Sequence, residues 1–275
     1  MLRIVKVLAE LRPYQDIIVQ PFTGRLVRQV LFKVAEKGGA ERMLQLLSSR
    51  QPYKPFSFTP LYLDERPLYK TLKSGDRPLM LRRDRVYSFS FSLILKEEAA
   101  LSVLMGLDGV VELYRGRTVE VLTRNMSVYD ERIMGVPIRP GSLIALRFET
   151  PTLLQLPKIR KRAKLNRYIL FPLPSLMVYS LKQGWNSYAE EKIKLASWRA
   201  NYSLLAVDYS LKPVTAVYDE KRRVRGFTGI AVYKVMTRNR KALDSLSKLL
   251  HFAELMNIGK SRSIGFGVVK VLRNL

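Results

Sequence analysis

Two tandem ferredoxin-like domains in an α+β fold are what this sequence predicts, on three observations. Strand, helix, strands, helix, strands follow one another through residue 124. A second run of similar kind begins at residue 142. Between them lies a charged, proline-marked break, Asp130-Glu131-Arg132 followed by Pro137 and Pro140. The chain has 275 residues, enough for two modest domains, and 47% of them are hydrophobic, enough to fill their cores. The expected division is 1–128 and 129–275.

The first unit opens on residues 2–12, a loosely alternating strand. Pro21-Phe22-Thr23 starts a helix with Thr23 as its expected N-cap. Leu26, Val27, Val30, Leu31 and Val34 form its apolar stripe, and Gly38-Gly39 stops it. A short helix over 41–48 and a proline-containing loop to Pro55 come next. Residues 56–63 and 86–95 read as strands, the second strictly alternating as YSFSFSLIL. A helix is expected from Glu97 to Met105, then strands over 110–114 and 117–124 about the turn at Gly116. The second unit begins with a strand at 142–149, followed by helices near 174–183 and 189–200. Two long strands, 203–218 and 224–237, flank the turn at Asp219 to Arg223. An amphipathic helix over 241–256 carries Leu243, Leu246, Leu249, Leu250 and Ala253 on one face. A glycine loop and a last strand, GVVKVL, close the chain.

Charge narrows the function. Lys and Arg number 48 against 23 Asp and Glu, a net +25. Such a surface attracts polyanions, nucleic acid foremost. A membrane partner is disfavoured: no apolar run of about 18 residues exists, the start lacks a signal-peptide core, and the basic residues form no juxtamembrane cluster. A cytoplasmic protein is expected. Cysteine is absent and His251 is the single histidine, so thiolate nucleophiles, zinc ribbons and His-based metal sites are excluded. No metal and no cofactor are expected.

Four constellations stand out. Arg25 and Arg28 lie about 60° apart on the first helix, opposite its apolar stripe, with Phe32 on the same face. Cation beside aromatic suits single-stranded RNA, one for phosphate and one for stacking; the alternative is a solvated face with Phe32 packed on the other domain. The loop Arg50-Gln51-Pro52-Tyr53-Lys54-Pro55 groups Arg50, Tyr53 and Lys54 on a proline-stiffened backbone, or else is a stiff surface linker. At a hairpin tip, Lys221, Arg222, Arg223 and Arg225 place four cations in five residues, which repel one another unless an anion arrives. Last comes Gly259-Lys260-Ser261-Arg262-Ser263-Ile264-Gly265-Phe266-Gly267. Its glycines permit close backbone approach and its N–H groups can form an anion nest. A plain C-cap and turn is the bland reading. The Walker phosphate-loop pattern is missing. His251 lies off the apolar stripe of its helix and reads as a surface histidine rather than a catalytic one.

The stretch LLHFAELMNIGKSRSIGFGVVKV resembles the C-terminal helix, glycine-rich loop and strand of RAMP proteins. More narrowly, it resembles the CRISPR-associated endoribonucleases that process precursor CRISPR RNA. YKPFSFTPL at 53–61, RFETPT at 147–152 and VRGFTGIAVYKV at 224–235 agree and come in the family's order. The resemblance implies two facing ferredoxin-like (RRM-like) domains with RNA in a central cleft. It also implies metal-independent cleavage within the repeat by 2′-hydroxyl attack, leaving a 2′,3′-cyclic phosphate and a 5′-hydroxyl. The expected partner is CRISPR repeat RNA; a homodimer and a CRISPR interference complex remain open. Many relatives carry a histidine in or after the first helix, and this chain has none there. It looks like the archaeal branch that uses basic residues instead. Arg25, Arg28 and Lys54 match those positions, with Arg262 and Arg222 or Arg223 as further carry-overs. RNA binding is expected at Arg50, Tyr53, Arg222, Arg223, Arg225, Gly259, Lys260, Ser261, Gly265 and Gly267.

Arginine cannot act as a base at neutral pH. It can stabilise the extra charge of a pentacoordinate phosphorane and orient the phosphate with its fork. A lysine crowded by cations gives up a proton more readily and can protonate the leaving 5′-oxygen. Such a site works by electrostatics and alignment, and without a histidine's roughly 10²–10⁴-fold contribution turnover should be slow. The competing function is a non-catalytic RAMP subunit that binds CRISPR RNA within an interference complex. A DNA-binding protein lacks any helix-turn-helix, zinc or heptad signal.

Overall fold

The computed structural model describes residues 2–95, 107–157 and 167–272. The first half opens with β1 (Arg3–Pro13), β2 (Ile17–Val19), α1 (Gly24–Lys37) and α2 (Glu41–Leu47). It continues with β3 (Phe56–Phe58), β4 (Tyr62–Leu63), β5 (Arg66–Pro67), β6 (Leu79–Leu81), β7 (Tyr87–Leu95), β8 (Gly109–Tyr114) and β9 (Arg117–Asp130). The second half holds β10 (Leu143–Thr152), β11 (Leu154–Gln155), β12 (Tyr168–Ile169), α3 (Pro174–Tyr188), α4 (Ala200–Ser203), β13 (Leu204–Val217), β14 (Arg223–Val235), α5 (Arg240–Met256) and β15 (Val269–Leu272).

Each half is a ferredoxin-like unit. The first sheet runs β5-β4-β7-β1-β9-β8, with β3 also paired to β7; β1 lies between two antiparallel neighbours, Val7 facing Phe91 on one side and Met126 on the other. The second runs β13-β14-β10-β15. The α1 stripe is buried as its periodicity demands, with Leu26, Val27, Val30, Leu31 and Val34 on Val5, Val7, Ala9 and Leu11 of β1. Each such side chain contributes roughly 1.5–3 kcal/mol. The second core lies between its sheet and helices α3 and α5, and it also takes in Leu2, Ile4 and Ile94 from the first sheet. One apolar contact therefore joins the two units.

Several local expectations are corrected. The strand expected over 56–63 splits into β3 and β4 at Thr59-Pro60-Leu61, because Pro60 has no N–H to give a ladder. Thr23 does not cap α1. Its backbone is already helical, and its hydroxyl donates to the Leu68 carbonyl and accepts from Leu61 N–H. The helix expected over 189–200 is largely extended. Its carbonyls are taken by α3 side chains: Lys182 donates to Leu195, Trp185 to Glu191 and Asn186 to Ile193. Only a 3₁₀ turn at Ser197–Arg199 and α4 follow. Phe32 packs on the core of its own unit, not on the other. The helix expected at Glu97 to Met105 lies outside the described residues. Among those described, no helix is long and apolar enough to cross a membrane.

Candidate nucleic-acid interface

The glycine loop is built against the start of α1 and the strand β3. A Cβ on Gly24 would lie 2.0 Å from the Ile264 carbonyl oxygen, so only glycine lets the first turn of α1 rest there. Phe22 and Phe266 stack beside that contact, centroids 4.1 Å apart and planes 1° from parallel. Asn257 ends α5 with a positive φ of 58° and an extended ψ of 173°. Its amide donates to the Phe58 carbonyl at 2.7 Å and to that of Arg262 at 3.3 Å.

Arg262 is the keystone of this corner and is 5% exposed. Its guanidinium donates to the carbonyls of Phe56 (3.2 Å), Met256 (3.3 Å) and Lys54. It also stacks 3.4 Å from the Tyr53 ring centroid. Burial pushes its pKa down, opposed by Tyr53 and Tyr188; arginine keeps its charge regardless. Tyr53 faces inward too. A Cβ on Gly184 of α3 would meet its ring at 1.9 Å, and Phe252 lies 6.4 Å away. Tyr188 donates to the Tyr53 carbonyl and to Gln51 Oε1, and its own hydroxyl is pushed up to about 12, chiefly by burial.

These ties bring three of the four expected catalytic residues to one neighbourhood. Lys54 presents its Nζ to the Ser49 carbonyl while its own carbonyl is held by Arg262. Arg28 donates to the Leu47 carbonyl at 3.1 Å and places its guanidinium 5.7 Å from the Phe56 ring centroid. Lys54, Lys260 and Ser261 line a groove of about 880 Å³ between the 51–54 loop, the glycine loop and α3. Arg25 points elsewhere. It is exposed and lines a second groove, about 820 Å³, with Tyr114 and the hairpin tip at Lys221 and Arg222.

The remaining expected residues divide by exposure. Arg50, Lys260, Ser261, Arg223 and Arg225 are exposed. Arg222 is partly neutralised, its Nη2 lying 2.6 Å from Asp219 and its guanidinium over Tyr218. Arg223 spends donors on the Asp219 and Glu220 carbonyls. Two glycines are corrected in their reason for being glycine: the close approach is to the chain itself. A Cβ on Gly265 would meet Pro60 N at 2.9 Å, and one on Gly267 the Ile258 carbonyl oxygen at 1.8 Å. Gly259 likewise abuts the Leu153 carbonyl. Arg262 was expected to be catalytic, and its burial makes it scaffold; Tyr53, expected to bind RNA, is half-buried and lines the groove with Lys54 and Lys260. His251 is not a surface residue but half-buried, its Nδ1 accepting from Gly135 N–H at 2.9 Å and its ring edge-on to Tyr129.

Between the two sheets runs a cleft of about 430 Å³ lined by serines of β7 and by Asn125 and Ser127. Its charges are compensated. Lys270 lies 2.7 Å from Glu149, Tyr62 donates to Glu149, and Lys6 donates to the Glu254 carbonyl. Burial lowers the Lys6 pKa, opposed mainly by Glu254. Exposed cations without such pairing line the other grooves, among them Arg25 and Lys221 beside α1 and Lys260 beside α3. Sequence reasoning missed Gly24, Phe22 and Asn257. Asn257 just past a long amphipathic helix is a readable C-terminal signal; Gly24 and Phe22 meet the glycine loop through partners some 240 residues away.

Paired ferredoxin-like units with a glycine loop docked on the first helix and cations around it define a RAMP-type RNA-binding protein. Family models agree: the Cas6 N-terminal domain matches residues 5–129, and the CRISPR-associated endoribonuclease Cas6 model matches residues 146–269. The chain is 26% identical over 282 residues to CRISPR-associated endoribonuclease Cas6 1 of Saccharolobus solfataricus, spanning 94% of this chain and 93% of that protein. It superposes on a Cas6 product complex with a TM-score of 0.67 (18% identity, 99% of this chain and 100% of the other). Thermus thermophilus Cas6 gives 0.65 (15% identity, 99% of both chains). The chain belongs to the CRISPR-associated endoribonuclease Cas6 family.

Proposed function

We propose that the chain cuts CRISPR repeat RNA without a metal ion, through attack of a 2′-hydroxyl on the adjacent phosphate. The O2′–P bond forms and the P–O5′ bond breaks. A proton leaves O2′ and another arrives on O5′, giving a 2′,3′-cyclic phosphate and a 5′-hydroxyl. Arg28 stabilises the phosphorane charge and Lys54 donates the proton to O5′, while Arg25, turned to the groove at the hairpin tip, holds RNA rather than the reacting phosphate. Arg262 acts as a positioning residue. One observation carries the reading: the buried guanidinium of Arg262 fixes the Lys54 and Phe56 carbonyls, holding Lys54 beside the face of α1 that presents Arg28. Lys54 spends one Nζ donor on Ser49 and keeps two. Arg28 likewise has donors beyond the one on Leu47. In this reading unit 1–128 supplies the reacting cations and unit 129–275 supplies the glycine loop and hairpin that hold RNA against them.

The test is single-turnover cleavage of the cognate repeat in EDTA. Lys54→Ala and Arg28→Ala should each slow the cut by more than they weaken binding, and Arg25→Ala should weaken binding by more than it slows the cut. The loss should be roughly 2–4 kcal/mol of transition-state stabilisation, by analogy with oxyanion-hole donors. The losses should be non-additive, because the groups act on one charge. A repeat with 2′-deoxy at the scissile position should bind and stay whole. Parental rates in both the Lys54→Ala and Arg28→Ala variants would overturn the assignment. Binding of the unmodified repeat with no cleavage would instead make the chain a holder of CRISPR RNA.

A further inference from the structure

Away from the glycine loop, the segment 190–203 builds a further groove, of about 1350 Å³, against the first turns of α5. Its two most prominent side chains are aromatic and bare. Trp198 is 60% exposed and Tyr202 76%. They are four residues apart across the 3₁₀ turn and α4, so they share one side. Their rings stand edge-to-face, centroids 6.0 Å apart and planes at 88°. A folded protein gains nothing by leaving two large rings in water, and exposed aromatics that cluster mark interaction sites.

The surroundings are cationic. Arg199 lies over Trp198 at 5.4 Å, and Lys194, Arg240 and Lys241 line the same groove, all exposed. Among the described residues these four make no ion pair. Three acids also line the groove, Glu190, Glu191 and Asp244; Lys248 engages Glu191 and Asp244 at 3.4 and 3.1 Å. The platform is also rigid. Lys182, Trp185 and Asn186 of α3 hold the carbonyls of 195, 191 and 193, and Met236 N–H donates to the Ser203 carbonyl. Exposed rings on a stiff backbone, ringed by such cations, are what single-stranded nucleic acid requires: bases stack on the rings and phosphates meet the charges.

We infer that Trp198 and Tyr202, with Arg199, Arg240 and Lys241, form a second binding site for single-stranded RNA, separate from the cleavage groove. The site takes the part of the substrate that extends beyond the cut repeat. It shares no lining residue with the groove at Lys54 and Lys260. The first turns of α5 line this groove, and the glycine loop follows the far end of the same helix. The inference rests on the RNA-processing reading for the identity of the ligand, not for its chemistry.

Trp198 is a reporter for its own test. The chain has two tryptophans, and Trp185 is buried at 1%. Titrating oligouridine into the intact protein should quench the exposed tryptophan, and Trp198→Phe should abolish the quench while keeping most of the affinity. Trp198→Ala and Tyr202→Ala should each lower affinity for a repeat RNA with a single-stranded extension by roughly tenfold. Binding and cutting of the bare repeat should stay unchanged. Equal affinity of both alanine variants for the extended RNA, or no quench, would overturn the site. The β13 edge continues the surface with exposed Leu205, Val207 and Tyr209, so sedimentation is run in parallel. Loss of a dimer in Trp198→Ala with RNA affinity intact would make this a contact between copies and sink the RNA reading. Should the repeat never be cleaved while oligouridine still quenches Trp198, the cleavage proposal fails and this one stands.

Discussion

The loop from α5 to β15 and the tip of the β13–β14 hairpin share a composition, glycine with lysine and arginine, yet they end in opposite surroundings. At the first, Arg262 is 5% exposed and gives its donors to three backbone carbonyls. At the second, Arg222 is exposed and paired with Asp219, and Arg223 and Arg225 face solvent. The glycines do not carry the difference: a Cβ on Gly267 would sit 1.8 Å from a backbone oxygen and one on Gly226 of the hairpin 2.7 Å from the Thr152 carbonyl oxygen, whereas Gly39 after α1, at φ +66°, faces open space. Identical local chemistry thus serves as internal scaffold in one place and as electrostatic surface in the other. What decides is whether a strand from the other unit arrives to supply carbonyls, and β3 does so only at the glycine loop.

The largest test of that contrast is Arg262→Ala. It strands three carbonyls and removes a ring's cation partner, so folding stability should fall by roughly 3–5 kcal/mol, the scale of deleting one member of a buried charged network. Arg262→Lys should recover little, because an ammonium lacks the planar fork. Thermal melting reads both. A variant that melts like the parent but cleaves slowly would break the contrast and return Arg262 to the reacting groups.

Gly267→Ala comes next. It combines left-handed strain with a backbone clash and should cost about 2 kcal/mol or more. Gly39→Ala carries only the left-handed penalty, about 1 kcal/mol. Comparable urea midpoints for the two would mean that the loop yields and the packing around Ile258 is soft. His251→Ala should cost about 1 kcal/mol by leaving the Gly135 N–H without its acceptor, while the folded fraction cuts at the parental rate. A large rate loss in folded protein would move the active site.

Periodicity makes the scaffold legible in the amino-acid sequence. The α1 stripe, the alternation of YSFSFSLIL and the α5 face each report a local rule, and local rules are enough for the ferredoxin-like class. What the residues alone do not carry is direction. Basicity near glycine gives charge and flexibility, but the burial of Arg262 and the inward packing of Tyr53 depend on β3 and α3, far away in the chain. The same holds for the extended run at 189–196, where the α3 side chains of Lys182, Trp185 and Asn186 outcompete helix propensity for the carbonyls. Arg25 and Arg28 share a helical face as spacing requires, yet one looks to the hairpin and the other to Phe56, because long side chains take their direction from neighbours.

The smallest expected effect is the sharpest on the hairpin. Asp219 accepts Arg222 Nε at 2.7 Å through Oδ2, and its Oδ1 accepts the backbone N–H groups of Lys221 and Arg222. Its carboxyl is held below the usual range, first by the Arg222 side chain. Asp219→Asn keeps an oxygen for the two backbone donors and removes only the charge, so the turn should persist and the melting temperature should not move. Arg222 would then be free for phosphate. RNA affinity should rise at low salt, and the slope of log affinity against log salt should steepen by about 0.7, the increment of one added phosphate contact on a single strand. Arg225→Ala should change that slope by a similar amount in the opposite sense, with no effect on melting. If Asp219→Asn instead weakens RNA binding with melting unchanged, the Arg222 pair with Asp219 is itself the RNA-facing arrangement. The tip would then be preorganised as a scaffold, as the glycine loop is, and the contrast between the two loops would close.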